Sequence, residues 1–223
     1  MEIPSGVYDV VCFNNDTQRV KYNGDDGFSS IAATTGVAQV GDVKAFRTPD
    51  YLCGGRLAAV VVEVKIGCEQ TIELPVTPMV CRYTYSVRGV KNLQNFSECV
   101  AVQRLMCSEY SVGGDREIQE SRAEVCFAME RSGDAITGSC YTFGAADCDE
   151  YKTILYIRTA NGKMVKGEYD VTQQINSQKG HLKNVDIVID TDLDLDKQGG
   201  GTGGFGFDPS VDDWGDIESD IIL

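Results

Sequence analysis

Residues 154–170 read ILYIRTANGKMVKGEYD. Two apolar–polar stretches flank Asn161-Gly162, the strongest short-range hairpin signal in the chain. Both central residues of a type I′ turn need positive φ, which Asn and Gly tolerate best. An antiparallel pair is therefore expected here, with Asn161-Gly162 at its tip.

The same period-2 pattern recurs on either side. Cys81, Tyr83, Tyr85 and Val87 alternate with Arg82, Thr84 and Ser86. Val125, Phe127 and Met129 alternate with Cys126, Ala128 and Glu130, and Ser132-Gly133-Asp134 turns that strand into ITGSCYTF. Val60, Val62, Val64 and Ile66 share one face of a further strand, and Ile72, Leu74 and Val76 line the next. Residues 93–107 and 115–123 are short apolar stretches with a helical option, because periodicity alone does not separate the two for such runs. The expected fold is all-β: an antiparallel sandwich or barrel of about eight to ten strands over residues 1–196.

From Val185 to Asp196 the alternation is unusually regular. Val185, Ile187, Ile189, Leu193 and Leu195 point one way. Asp186, Asp190, Asp192, Asp194 and Asp196 point the other. One strand of that length spans about 40 Å. Its carboxylate row reads as a solvated edge face that discourages unwanted pairing, or as one that docks on a basic neighbour.

Residues 197–223 have a different character. Gly199 to Gly204 form a hinge of five glycines and one threonine. Beyond it, Phe205, Phe207, Trp214, Ile217, Ile221, Ile222 and Leu223 stud an acidic segment. Trp214, Ile217 and Ile221 share a face if the segment is helical, and the closing aliphatics also suit strand addition. These seven residues are the candidate interaction arm.

The net charge of −14 is uneven: residues 191–223 hold one Lys and nine acids, net −8, leaving −6 for the rest. Such a balance repels bulk nucleic acid and anionic lipid. One basic window stands against it, with Arg82, Arg88, Lys91 and Arg104 interleaved with Tyr83, Tyr85 and Phe96. Cations for phosphates and rings for bases are what single-strand binding needs. The layout of residues 197–223, a Gly-rich linker and an acidic apolar tip, resembles that of acidic-tailed single-strand DNA-binding proteins. That resemblance implies an OB-like body and a partner-recruiting tail.

Catalytic signals are absent. His181 is the only histidine, and no P-loop, nucleophile elbow or zinc spacing appears. The Asp190, Asp192, Asp194 spacing departs from a calcium loop at Leu195 and Gly201. No catalytic residue, metal or cofactor is expected. Nine cysteines, an odd number without C-x-x-C, read as reduced thiols packed as small hydrophobes. No apolar run reaches transmembrane length, and the first residues lack the pattern of a secretory leader.

The expected function is a non-enzymatic assembly subunit of a viral or phage particle, of coat, tail-tube or decoration type. It would associate with copies of itself, or with another structural protein, through its β body and arm. The alternative is a single-stranded nucleic-acid-binding protein. The expected location is a virion, or the cytoplasm or nucleus, with no membrane partner.

Overall fold

The computed structural model describes residues 3–24, 27–41, 43–63, 67, 69–178 and 184–196. The seven arm residues Phe205, Phe207, Trp214, Ile217, Ile221, Ile222 and Leu223 lie outside them, as do His181 and the glycine hinge.

In chain order the strands are β1 (Gly6–Phe13), β2 (Val20–Asn23), β3 (Ala32–Thr35), β4 (Val37–Val40), β5 (Val43–Arg47), β6 (Cys53–Val62), β7 (Thr77–Pro78) and β8 (Cys81–Arg88). They continue with β9 (Phe96–Cys107), β10 (Glu109–Ser111), β11 (Arg116–Glu117), β12 (Arg122–Ser132), β13 (Ala135–Thr142), β14 (Lys152–Thr159) and β15 (Met164–Asp170). The one α-helix among the described residues, α1 (Thr172–Gln178), precedes β16 (Asn184–Asp190). Among the described residues ten strands have five or more residues, which matches the all-β expectation, and the additional strands are pieces of two to four residues.

The largest sheet runs β15-β14-β9-β12-β13-β8-β16. It folds back on itself through β12. Residues Arg122 to Met129 pair with β9, while Glu130 to Ser132 pair with β13. A long strand that changes partners along its length is how a sheet turns a corner and closes a sandwich. Between the two layers lies the main core, with Tyr85, Ile136, Leu155, Ile157 and Ile187 fully enclosed. The β4–β5 hairpin covers the opposite face of β9 and β14, burying Val100, Val102 and Ile154 beneath Val40 and Ala45. A third core forms around Leu52, Met79, Tyr110 and Phe143, beside two small sheets, β1-β6-β7 and β11-β10-β3-β2.

Several local expectations are corrected. Residues 93–107 are not helical: after a 3-10 turn at Leu93–Asn95 they form β9. Both faces of β9 are buried, Cys99 and Ala101 in the main core, Val100 and Val102 under the hairpin. Two-sided burial erases the polar alternation that marks a strand. Residues 115–123 are β11, a turn and the start of β12, held by Ile118 N–H donating to the Glu109 carbonyl at 3.2 Å.

Ile72, Leu74 and Val76 belong to no strand, and Ile72 and Val76 are exposed. Pro75 and Pro78 remove ladder donors there. The hairpin of residues 154–170 is present, but its turn is not type I′. Gly162 N–H donates to the Thr159 carbonyl at 2.8 Å, and only Gly162 has positive φ, 81°. This is the three-residue loop in which a type I turn is followed by a glycine in the left-handed region.

One strained residue stands out. Leu105, φ 60°, sits with Arg104 opposite the single residue Glu124 in a bulge between β9 and β12. A bulky side chain in the left-handed region costs about 1–2 kcal/mol. Arg104 Nε lies 3.3 Å from Glu124 Oε1 across the bulge.

The eight described cysteines are free thiols. Burial pushes Cys99 up to about 12 and Cys126 up to about 11, and also raises Cys140. Burial likewise raises Tyr83, Tyr85 and Tyr110. The unfolded chain ionises its thiols near pH 8.5 and its tyrosines near 10, about their ordinary values. Above those values the unfolded state binds fewer protons than the folded one, so stability falls with rising pH. Urea unfolding at pH 7 and 9.5 is expected to show a lower midpoint at the higher pH. An unchanged midpoint contradicts the burial of these groups. In the folded protein Cys99, Cys126 and Cys140 are expected to resist iodoacetamide at pH 8.

Candidate functional site

The residues proposed for single-strand binding do not form a site. Tyr83 and Tyr85 are 2% and 1% exposed, so neither ring is available for a base, and Phe96 packs half-buried against the main core. The alternation that made them conspicuous is the inward face of β8. Arg82 and Arg88 lie on its outward face. The Lys91 backbone bonds to Leu193 and Leu195, a ladder contact that leaves its side chain out of account, and Arg104 pairs with Glu124.

The outward faces of β13, β8 and β16 make one largely polar surface, interrupted by exposed Val188 and by buried Ala135 at its margin. Register sets four rows across it: Tyr141, Arg82 and Asn184; Ser139, Thr84 and Asp186; Thr137, Ser86 and Val188; Ala135, Arg88 and Asp190. β16 alternates buried Val185, Ile187 and Ile189 with exposed Asp186, Val188 and Asp190, so this part of the acidic alternation is as expected. Guanidinium, carboxylate, hydroxyl and amide groups thus share one face, with Tyr141 at its end. Tyr51, 47% exposed, stands edge-on to Tyr141 with ring centroids 5.7 Å apart. An exposed tyrosine beside polar side chains has the character of a contact residue, apolar in body and polar at the tip.

The continuous strand expected to Asp196 ends at Asp190. Asp194 Oδ1 accepts from Asn92 Nδ2 at 2.7 Å and from Asp196 N–H at 3.0 Å, and Asn95 Nδ2 donates to Asp196 Oδ1. These carboxylates fasten the chain to the 92–95 turn, where Asn92 has φ 57°. They are structural, which the alternation alone did not reveal.

The free edge of β16 faces α1. Gln174 Oε1 accepts from Val188 N–H at 2.7 Å, and Gln174 Nε2 donates to the Val188 carbonyl at 2.8 Å. Gln178 does the same for Asp186, with both bonds at 3.0 Å. Ile175 anchors α1 in the core, and Asp170 Oδ1 accepts from Thr172 N–H at the helix start. Nothing in TQQINSQ announced this in the sequence, because a single apolar residue has no period. Among the described residues no cluster of metal-ligating side chains occurs, and no helix is long and apolar enough to cross a membrane.

A candidate adhesin from Bacteroides ovatus ATCC 8483 superposes with a TM-score of 0.66, at 17% identity, over 86% of this chain and 77% of its own. A second Bacteroides ovatus candidate adhesin gives 0.52 at 11% identity, over 89% and 71%. The fimbrial anchor protein Mfa2 from Porphyromonas gingivalis gives 0.49 at 15% identity, over 84% and 69%, too loose a superposition to argue from. No curated protein matches.

The fold found is thus one carried by adhesin-type proteins of Bacteroides. It overturns the coat, tail-tube and decoration readings, the OB-like nucleic-acid reading, and with them a virion, cytoplasmic or nuclear location. Residues 1–128 match the profile described as "Domain of unknown function (DUF5119)", from β1 into β12, and the chain therefore belongs to that family.

Proposed function

We propose that the protein is a non-catalytic, adhesin-type component of a bacterial cell surface. The observation that carries this reading is the superposition on a Bacteroides ovatus candidate adhesin across 86% of the chain. The exposed chemistry suits it. A largely polar face ends in the Tyr51–Tyr141 pair, and tyrosine supplies large, rigid contact area at low entropic cost. Neighbouring subunits are the natural partners, copies of this chain or another surface protein, engaged by the arm of residues 205–223.

The test is labelling of intact cells of the source organism with a membrane-impermeant amine reagent. Strong modification of the protein before lysis is the expected result. Modification seen only after lysis overturns the proposal.

A further inference from the structure

We propose that the outer edge of β16 is a latent docking site for an extended peptide segment with basic side chains two positions either side of an apolar one, and that α1 is its plug. The inference does not rest on the adhesin reading.

A glutamine side chain ends in the same carbonyl and N–H groups as a peptide unit. Gln174 and Gln178 each make the paired bonds that a neighbouring strand makes, one to Val188 and one to Asp186. The spacings agree. Four residues of helix rise about 6 Å, and two residues of strand about 6.6 Å. α1 therefore imitates an adjoining strand at two successive ladder positions, and an unguarded edge at those positions is a template for strand addition.

The plug is lightly held. α1 has seven residues and one buried side chain, Ile175, and a helix of that length is marginal without its packing. An incoming strand replaces its four bonds with four equivalent ones, so the exchange carries little hydrogen-bond cost.

The face of β16 selects the strand. Asp186 and Asp190 are exposed on either side of Val188, itself 37% exposed. Opposite charges in directly facing cross-strand positions attract, and like charges repel. Lysine or arginine opposite the two aspartates, with an apolar residue opposite Val188, is the matching pattern. Antiparallel pairing of β16 with a second copy, centred on Val188, sets Asp186 against Asp190 twice. That disfavours self-association at this edge.

The experiment uses the full chain and the double variant Gln174→Ala/Gln178→Ala, which keeps Ile175 and places good helix formers at both sites. The probes are the synthetic peptides TKTVTKT and TETVTET. The double variant is expected to bind the lysine peptide about tenfold more tightly than the parent chain does, and the glutamate peptide at least about tenfold more weakly than the lysine one. Bound lysine peptide is expected to slow hydrogen exchange at the Asp186 and Val188 amides.

Equal binding of the two peptides, or none to the double variant, overturns the proposal. So does a dimer of the double variant that the lysine peptide fails to dissociate, which assigns the edge to self-pairing. Should the double variant not fold, the single variant Gln174→Ala and the unaltered chain give the same readout. No slowing of exchange at Asp186 and Val188 by excess lysine peptide in either then refutes it.

Discussion

Replacing Gln103 by leucine is expected to be among the most damaging single changes in the protein. Gln103 lies on β9 and is fully enclosed, as is Thr153 on β14, while Tyr85 on β8 is 1% exposed. Gln103 Oε1 accepts from Tyr85 Oη at 3.1 Å and from Thr153 Oγ1 at 2.6 Å, and its Nε2 donates to the Arg104 carbonyl at 3.1 Å. The network joins the two layers of the sandwich through an otherwise apolar interior. Leucine preserves much of the volume but strands two buried hydroxyls, each costing about 1–3 kcal/mol.

A combined loss of about 2–6 kcal/mol follows, and each kcal/mol lowers Tm by about 2–4 °C in a chain of this size. The triple variant Gln103→Leu/Tyr85→Phe/Thr153→Val removes the stranded hydroxyls together. It is expected to recover most of the loss, since replacing both partners by apolar groups can be nearly neutral. Urea unfolding of the three proteins decides the matter. If Gln103→Leu lies within about 0.5 kcal/mol of the parent, the network carries no stability.

The same residues explain what was legible in the sequence. Strands with one face in water declare themselves: β8, the inward face of β12 and β16 were each found from period-2 alternation. So was the hairpin at 154–170, although its turn geometry was not. β9 was not found, because Val100 and Val102 face one core while Cys99, Ala101 and Gln103 face another, and a strand apolar on both sides has no preferred period. Aromatic and basic residues close together in sequence read as a binding window. Opposite faces of β8 carry them, with Tyr83 and Tyr85 inward and Arg82 and Arg88 outward, so proximity in sequence was separation in space. The polar face and the glutamine plug were invisible for a different reason. Both arise from long-range register, β16 beside β8 and α1 beside β16, which no local pattern encodes.

The second large effect is expected at Gly55, where the backbone itself is the neighbour. Gly54 and Gly55 lie near the start of β6, where the chain from residue 69 returns to form β7. A Cβ on Gly55 would overlap the carbonyl oxygen of Pro75, far inside van der Waals contact, and would meet Leu74 at 3.6 Å. A glycine inside a strand often marks such a close approach of another backbone.

At Gly54 a Cβ would meet the flexible Met79 methyl at 2.6 Å and the Cys12 carbonyl at 2.5 Å. The Met79 methyl can swing aside, but the Cys12 and Pro75 carbonyls each move only with their own chain, and the Pro75 overlap is the deeper. Gly55→Ala is therefore expected to cost about 3 kcal/mol, a fall in Tm of about 6–12 °C. The damage should be local first: residues 69–78 detach from β6, and Leu52 and Met79, both fully buried, lose their cover. Gly36→Ala is the control, since a Cβ there meets nothing within 4 Å. With no positive φ to strain, it should be neutral or stabilise by about 0.4–1 kcal/mol. Thermal melts measure both changes, and limited proteolysis places the first. A Gly55→Ala protein that melts with the parent and resists cleavage at residues 69–78 would show that the return of the chain over β6 is not the tight crossing described.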